Sequence, residues 1–201
     1  EGRGARGLTA PTWLARLEGA LSPLAAEAPP AERHAAVAVV LAPRAGEADA
    51  LLIRRAERAG DPWSGHMALP GGGVDPGETP FQTAVRETRE EIGLDLAACA
   101  RCLGRLEDHQ ALSGGVRRPF GVSPYVFALR SEPAPLALDA NEVAEALWVP
   151  LETLRSGRLD GEFYWSGPDI PSLLLPCWDY EGRRIWGLTH RILTTLFERL
   201  G

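Results

Sequence analysis

Three carboxylates, Glu87, Glu90 and Glu91, fall at i, i+3 and i+4, so on a helix they share one face. Like charges at that spacing repel one another, and stability alone gives no reason to gather them. A hard divalent cation does, because Mg²⁺ prefers carboxylate and carbonyl oxygens and completes its shell with waters and substrate phosphates. Taken by itself, an acidic triplet with Arg86 and Arg89 beside it would be an ordinary solvated helix face. Its surroundings point the other way.

The element that must carry these acids is marked at both ends. Thr79 followed by Pro80 reads as N-cap and first helical residue, and Gly93 stands where a left-handed C-terminal residue belongs. Phe81, Ala84, Val85, Thr88 and Ile92 form a second, mostly apolar stripe at helical spacing. One helix can therefore bury one side and hold three acids over a cavity with the other. Just upstream, Pro70, Gly71, Gly72 and Gly73 allow a tight loop whose backbone can approach a ligand closely.

The stretch from Gly72 to Leu94 resembles the signature of the Nudix (MutT-like) hydrolase superfamily. In that signature a glycine is followed after five residues by a glutamate, and after seven more by Arg-Glu-aliphatic-any-Glu-Glu-any-Gly-aliphatic. Gly72, Glu78, Arg86, Glu87, Glu90, Glu91, Ile92, Gly93 and Leu94 match, and Thr88 is the one departure from an aliphatic residue. A fixed pattern of this length is far more specific than a lone glycine motif.

The resemblance implies an α/β fold, specifically an α/β/α sandwich with a mixed β-sheet, and hydrolysis of a nucleoside diphosphate linked to another group. It implies that Glu87, Glu90 and Glu91 bind Mg²⁺ (or Mn²⁺), helped by the Gly71 carbonyl, and that Glu78 pairs with Arg86 to hold the loop against the helix. Water attacking phosphorus in line builds negative charge on the surrounding oxygens, and such cations offset it. Residues 51–72 further resemble the extra signature of the coenzyme A pyrophosphatase branch. Leu51, Leu52, Arg55, Ala56, Gly65, Pro70, Gly71 and Gly72 match it, whereas the spacing is one residue longer, the second arginine is displaced to Arg58, and Leu69 replaces a phenylalanine. Coenzyme A or a derivative, cleaved to phosphopantetheine and adenosine 3′,5′-bisphosphate, is thus the leading substrate. ADP-ribose or another nucleotide sugar is the alternative within the class, and a non-catalytic nucleotide-binding module the alternative outside it.

Composition agrees with a globular enzyme. The chain has 201 residues, 45% hydrophobic and 24% charged, with a net charge of −6. That balance argues against a general nucleic-acid binder. All 21 basic residues are arginine, so lysine nucleophiles and Schiff bases are excluded. The three cysteines, Cys99, Cys102 and Cys177, provide no disulfide framework. With no apolar run of transmembrane length and no opening signal segment, the expectation is a cytoplasmic protein with no membrane association.

Along the chain, residues 1–32 read as an N-terminal arm and 33–201 as the Nudix domain. Residues 1–11 are rich in glycine and arginine and read as frayed. A short amphipathic helix is expected at 12–21, with a Pro/Ala-rich connector to Glu32, the whole packing on the domain or on a second subunit of a homodimer. Strands are expected at 35–41 and 50–54, turned at 43–47. Arg54 and Arg55, with Arg58 nearby, are candidates for gripping substrate phosphate, since arginine offers a planar fork; His66 reads as structural. A strand at 100–106 and a mobile loop over the site at 107–118 follow, in which Arg117 and Arg118 are further phosphate candidates. Val122 to Leu129 is a strand that Pro124 places at an edge or bulge. Glu142 and Glu145 compete for the role of extra metal ligand or general base, Glu142 slightly ahead. The aromatics of the tail would cover a substrate or fill the core, and 187–200 is an amphipathic helix in which His190 is structural.

Overall fold

A computed structural model describes residues 12–30, 32–44, 47–60, 63–113, 116–167 and 170–201. The arm residues 1–11, the tip of the 43–47 turn and the Gly114-Gly115 tip lie outside the described residues, as do the side chains of Arg117 and Arg118. In chain order the elements are α1 (Thr12–Ala20), β1 (His34–Arg44), β2 (Glu47–Arg55), β3 (Met67–Ala68), β4 (Gly71–Gly73), α2 (Pro80–Ile92), α3 (Leu96–Cys99), β5 (Ala100–Arg105), β6 (His109–Ser113), β7 (Val116–Leu129), β8 (Val143–Pro150), α4 (Leu151–Arg155), β9 (Asp160–Gly167), β10 (Ile170–Tyr180), β11 (Arg183–Trp186) and α5 (Gly187–Leu200).

The main sheet runs β3-β2-β1-β7-β5, with β4 on β1, β6 on β7 and β8 on β2. β1 and β7 pair in parallel, and the other neighbours are antiparallel. This is a mixed sheet with a helical layer on each side. The apolar run of β1 is explained by its burial on both faces. Ala36, Ala38, Val40 and Ala42 point into the core under α2, with Ala84 and Ile92. Val39 and Leu41 point into the core under α1 and α5, with Leu17, Leu193 and Leu196. Leu17 is 0% exposed, so the arm helix is packed into the same core as α5.

Three expectations are corrected. The expected loop over the site is overturned: residues 109–113 form β6 and 116–118 open β7, and Arg191 of α5 donates to the Gln110 carbonyl. β7 is central, not an edge, and begins at Val116 instead of Val122. Pro124 is tolerated there because it falls where β5 gives way to β6, its carbonyl accepting from the Leu106 N–H at 3.0 Å. The tail, expected only as aromatics that cover a substrate or fill the core, is a second antiparallel sheet, β11-β10-β9. Among the described residues its strands pair only with one another, and the Glu145–Arg183 ion pair ties it to β8 of the main sheet.

Candidate active site

The acids stand on α2, whose ends are fixed locally. The Thr79 hydroxyl accepts from the Gln82 N–H at 3.2 Å while the Gln82 side chain accepts from the Thr79 N–H at 2.9 Å, a reciprocal cap. Gly93, at φ 70°, closes the helix by donating to the Arg89 carbonyl. The acids are not equivalent. Glu91 lies two turns beyond Ala84, at the inner margin of the acidic face, and is only 3% exposed. Side-chain exposure rises to 15% at Glu87 and 57% at Glu90.

Burial pushes the Glu91 carboxyl up to about 8, with the neighbouring charges of Glu87 and Glu142 adding to the rise. The Gly71 N–H, donating to Oε2 at 2.9 Å, and the Arg55 charge act in the opposite sense. Burial likewise raises Glu87. Gly71 and Gly72 lie close beneath these carboxylates. A Cβ on Gly72 would stand 2.4 Å from the Glu87 Oε1, and one on Gly71, at φ 151°, would stand 2.2 Å from the Ala36 carbonyl.

Arg86 organises the remainder. It donates to both Glu78 oxygens at 3.0 Å, and to Glu87 and Glu90 at 2.8 Å each. The Arg86 bonds hold Glu78 below the usual carboxyl range, and Thr83 donates to the same acid at 2.7 Å. Glu78 and Arg86 thereby fasten the 73–78 loop to α2.

The fourth acid arrives from a distant segment. Ala137 and Asp139 donate their N–H groups to the Ile92 and Glu91 carbonyls at 3.0 and 2.9 Å. They satisfy two of the carbonyls that a helix end leaves unpaired. Asp139 Oδ1 accepts from the backbone and side chain of Asn141, and the Arg58 guanidinium grips the Asn141 carbonyl at 2.6 and 2.9 Å. Glu142 is thus held over α2, with one carboxylate oxygen each from Glu87, Glu91 and Glu142 within 4.8 Å of one another. Oxygen donors at that spacing suit a shared hard cation, and burial first, then the charges of the neighbouring acids, raise the carboxyls of Glu87 and Glu91.

The structure sorts the other candidates. Glu90 stays outside the cluster, tied to Arg86. Glu145, three residues beyond Glu142, is occupied by Arg183 at 2.5 Å and Arg54 at 3.4 Å. A bulge in the β2–β8 ladder separates Arg54, opposite Glu145, from Arg55, opposite Val143. Successive strand residues face opposite ways, so Arg54 serves the ion pair while Arg55 acts on Glu91. Sequence reasoning missed Ala137 and Asp139 as supports, although Asp139-Ala140-Asn141 carries the composition of an Asx turn. His190 packs on Trp178 with ring centroids 4.0 Å apart, and the three cysteines are free. A groove of about 770 Å³ opens on the outer flank of α2, beside Phe81, Val85, Leu96 and Phe127, and meets the acids only through Arg86 and Glu90.

Comparison with known proteins agrees with this geometry. The NUDIX domain family model matches residues 32–165. The uncharacterised Nudix hydrolase NudL of Yersinia enterocolitica is 32% identical over 83% of this chain and 81% of its own. The uncharacterised Nudix hydrolase orf19 of Rhodococcus erythropolis is 31% identical, over 72% of this chain and 78% of its own. An uncharacterised protein of Schizosaccharomyces pombe is 43% identical over 52% of this chain, which spans 32% of that longer protein. Among solved structures, a Caenorhabditis elegans Ap4A hydrolase in a binary complex superposes with a TM-score of 0.51 at 26% identity, covering 62% of this chain and 85% of that one. A MutT/nudix family protein from Enterococcus faecalis, at 19% identity and TM-score 0.51 over 97% of this chain and 70% of its own, shares the fold. The chain belongs to the Nudix family and is a Nudix hydrolase. No helix among the described residues is long and apolar enough to cross a membrane.

Proposed function

We propose that the protein hydrolyses the pyrophosphate bond of a nucleoside diphosphate linked to another group, with Mg²⁺ (or Mn²⁺) held by Glu87, Glu91 and Glu142. The observation carrying this reading is the meeting of those three carboxylates, from α2 and from the 139–142 loop, within 4.8 Å. A divalent cation bound there would offset charge on the phosphoryl oxygens and orient the attacking water. Glu90, beside the cluster and exposed, is available as a further ligand, as is the Gly71 carbonyl. Glu142, the most solvent-exposed of the three at 42%, is the candidate general base, its carboxylate oxygen not offered to the cation taking the proton of the attacking water. Arg55 grips the substrate phosphate, and Arg86 and Glu78 hold the ligand-bearing segments in register. Arg54 is a secondary phosphate candidate that already shares Glu145 with Arg183, and the side chain of the other candidate, Arg117, lies outside the described residues.

Coenzyme A or a derivative is the leading substrate, supported by the match of Leu51, Leu52, Arg55, Ala56 and Gly65 to the coenzyme A branch. A dinucleoside polyphosphate is a second reading, supported by the similarity to the nematode Ap4A hydrolase. ADP-ribose and nucleotide sugars complete the class. A phosphatase-coupled phosphate-release screen with Mg²⁺ against coenzyme A, Ap4A, ADP-ribose, NADH and nucleotide sugars tests the assignment. Preference for coenzyme A by tenfold or more is the expected result. Turnover confined to another substrate would discard the branch and keep the chemistry, and no turnover of any nucleotide would return the fold to a binding role.

A further inference from the structure

Five aromatic side chains gather outside both hydrophobic cores. Around Trp186, the ring centroids of His66 and Phe163 lie at 4.9 Å, that of Trp165 at 5.8 Å and that of Trp63 at 6.2 Å. Trp63 and Trp165 lie within 6° of parallel, with centroids 6.2 Å apart. All five are only partly buried. The Arg184 guanidinium sits 4.7 Å over the Phe163 ring. Rings that are half-buried outside the cores keep part of their surface available for a flat partner.

The cluster adjoins the acids through short connections. The His66 carbonyl accepts from the Arg55 N–H at 3.0 Å. Ser64, beside Trp63, accepts from the Arg58 N–H at 2.8 Å, and the Arg58 side chain holds Asn141 and Glu142. On the other side, Arg183, next to Arg184, is locked to Glu145. The rings are therefore anchored to the same two segments, 55–58 and 141–145, that frame the phosphate end of the site.

We infer that this aromatic wall is the seat of the substrate's nucleobase, stacked against Trp63 and Trp165, with Arg184 at its rim. The inference rests on the nucleotide-hydrolase reading above and adds to it where the base goes. Parallel indole faces suit a flat ring, whereas a flexible thiol arm or a sugar makes no use of them. Stacking tolerates any base, since every base has a π-face, so the wall supplies affinity for nucleotides in general. The cationic rim matches a ligand whose other end is a pyrophosphate.

The test uses the full chain with Trp165→Leu, Trp63→Leu and Trp165→Phe. Leucine keeps apolar bulk and removes the π-face; phenylalanine restores a face. ADP and inorganic pyrophosphate, each with Mg²⁺, are titrated by calorimetry, and kinetics are run on a substrate the wild type hydrolyses. ADP affinity should fall at least tenfold in both leucine variants and return to within about threefold in Trp165→Phe. Pyrophosphate affinity should stay within twofold throughout. KM should rise about tenfold with kcat nearly unchanged, while a single cooperative thermal unfolding transition reports that the variants remain folded. ADP affinity unchanged in both folded leucine variants, with turnover intact, would make the cluster a satellite core joining the two sheets and overturn the inference. A wild type that neither binds ADP nor hydrolyses any nucleotide would overturn the parent reading and this one together.

Discussion

Glu91 is where burial and charge conflict most. Its folded carboxyl sits at about 8 against an ordinary 4.5, so the metal-free native state binds the proton more tightly than the unfolded chain does. Its stabilising contribution is therefore complete below pH 4.5 and is lost as pH rises through about 8. Metal-free protein should melt at progressively lower temperature from pH 5 to pH 8.5. Mg²⁺ should restore the melting temperature most at the alkaline end, and Glu91→Gln should flatten both trends in a thermal-shift series. A metal-free profile flat across that window would contradict the burial account. Gly72 is equally constrained by position, because an added Cβ at 2.4 Å would displace the Glu87 carboxylate. Gly72→Ala should weaken Mn²⁺ binding by tenfold or more in an equilibrium titration, and unchanged affinity would remove Glu87 from the ligand set. Arg55→Ala should mainly raise KM, about tenfold, if the guanidinium grips phosphate equally in ground and transition states. An unchanged KM would limit Arg55 to its effect on Glu91.

At the scale of the element, α2 was legible because its instructions are local: Thr79, Pro80 and Gly93 mark the ends, and the acids are spaced within one turn. What the helical pattern did not convey is that Glu91 belongs to the buried side. The choice between Glu142 and Glu145 was not legible either. It depends on the β2–β8 bulge and on Arg183, which lies 38 residues beyond Glu145. The 137–142 segment is the supporting element, capping the carbonyl end of α2 while presenting Glu142. Asp139→Ala removes the acceptor for Asn141, at a cost of about 1 kcal/mol in stability. It should lower kcat about tenfold by loosening Glu142, with KM little changed. Wild-type kcat in steady-state assays would show that Glu142 needs no such support or takes no part.

Across the whole molecule, the sandwich and its mixed sheet could be expected from the glycine-and-acid signature, and β1 and α5 from their apolar patterns. β6 and the start of β7 were not legible because Ser113, Gly114 and Gly115 look like loop residues, and Pro124 suggested a strand edge or bulge, whereas the β5-to-β6 changeover gives it a position needing no N–H in a central strand. The second sheet escaped because β9 and β10 carry consecutive apolar residues, Phe163 to Trp165 and Leu173 to Leu175, with no period-two alternation, and among the described residues β9 to β11 pair only with one another. The large architecture brings Glu91 of α2 and Glu142, 51 residues further on, to one cluster of oxygens, and the proposed cation-assisted hydrolysis depends on that meeting. The most direct measurement compares wild type with Glu91→Gln on the best substrate at saturating Mg²⁺, with far-UV circular dichroism on both. The cluster account predicts at least a hundredfold loss of kcat in a fully folded variant. Near wild-type turnover by Glu91→Gln would contradict it.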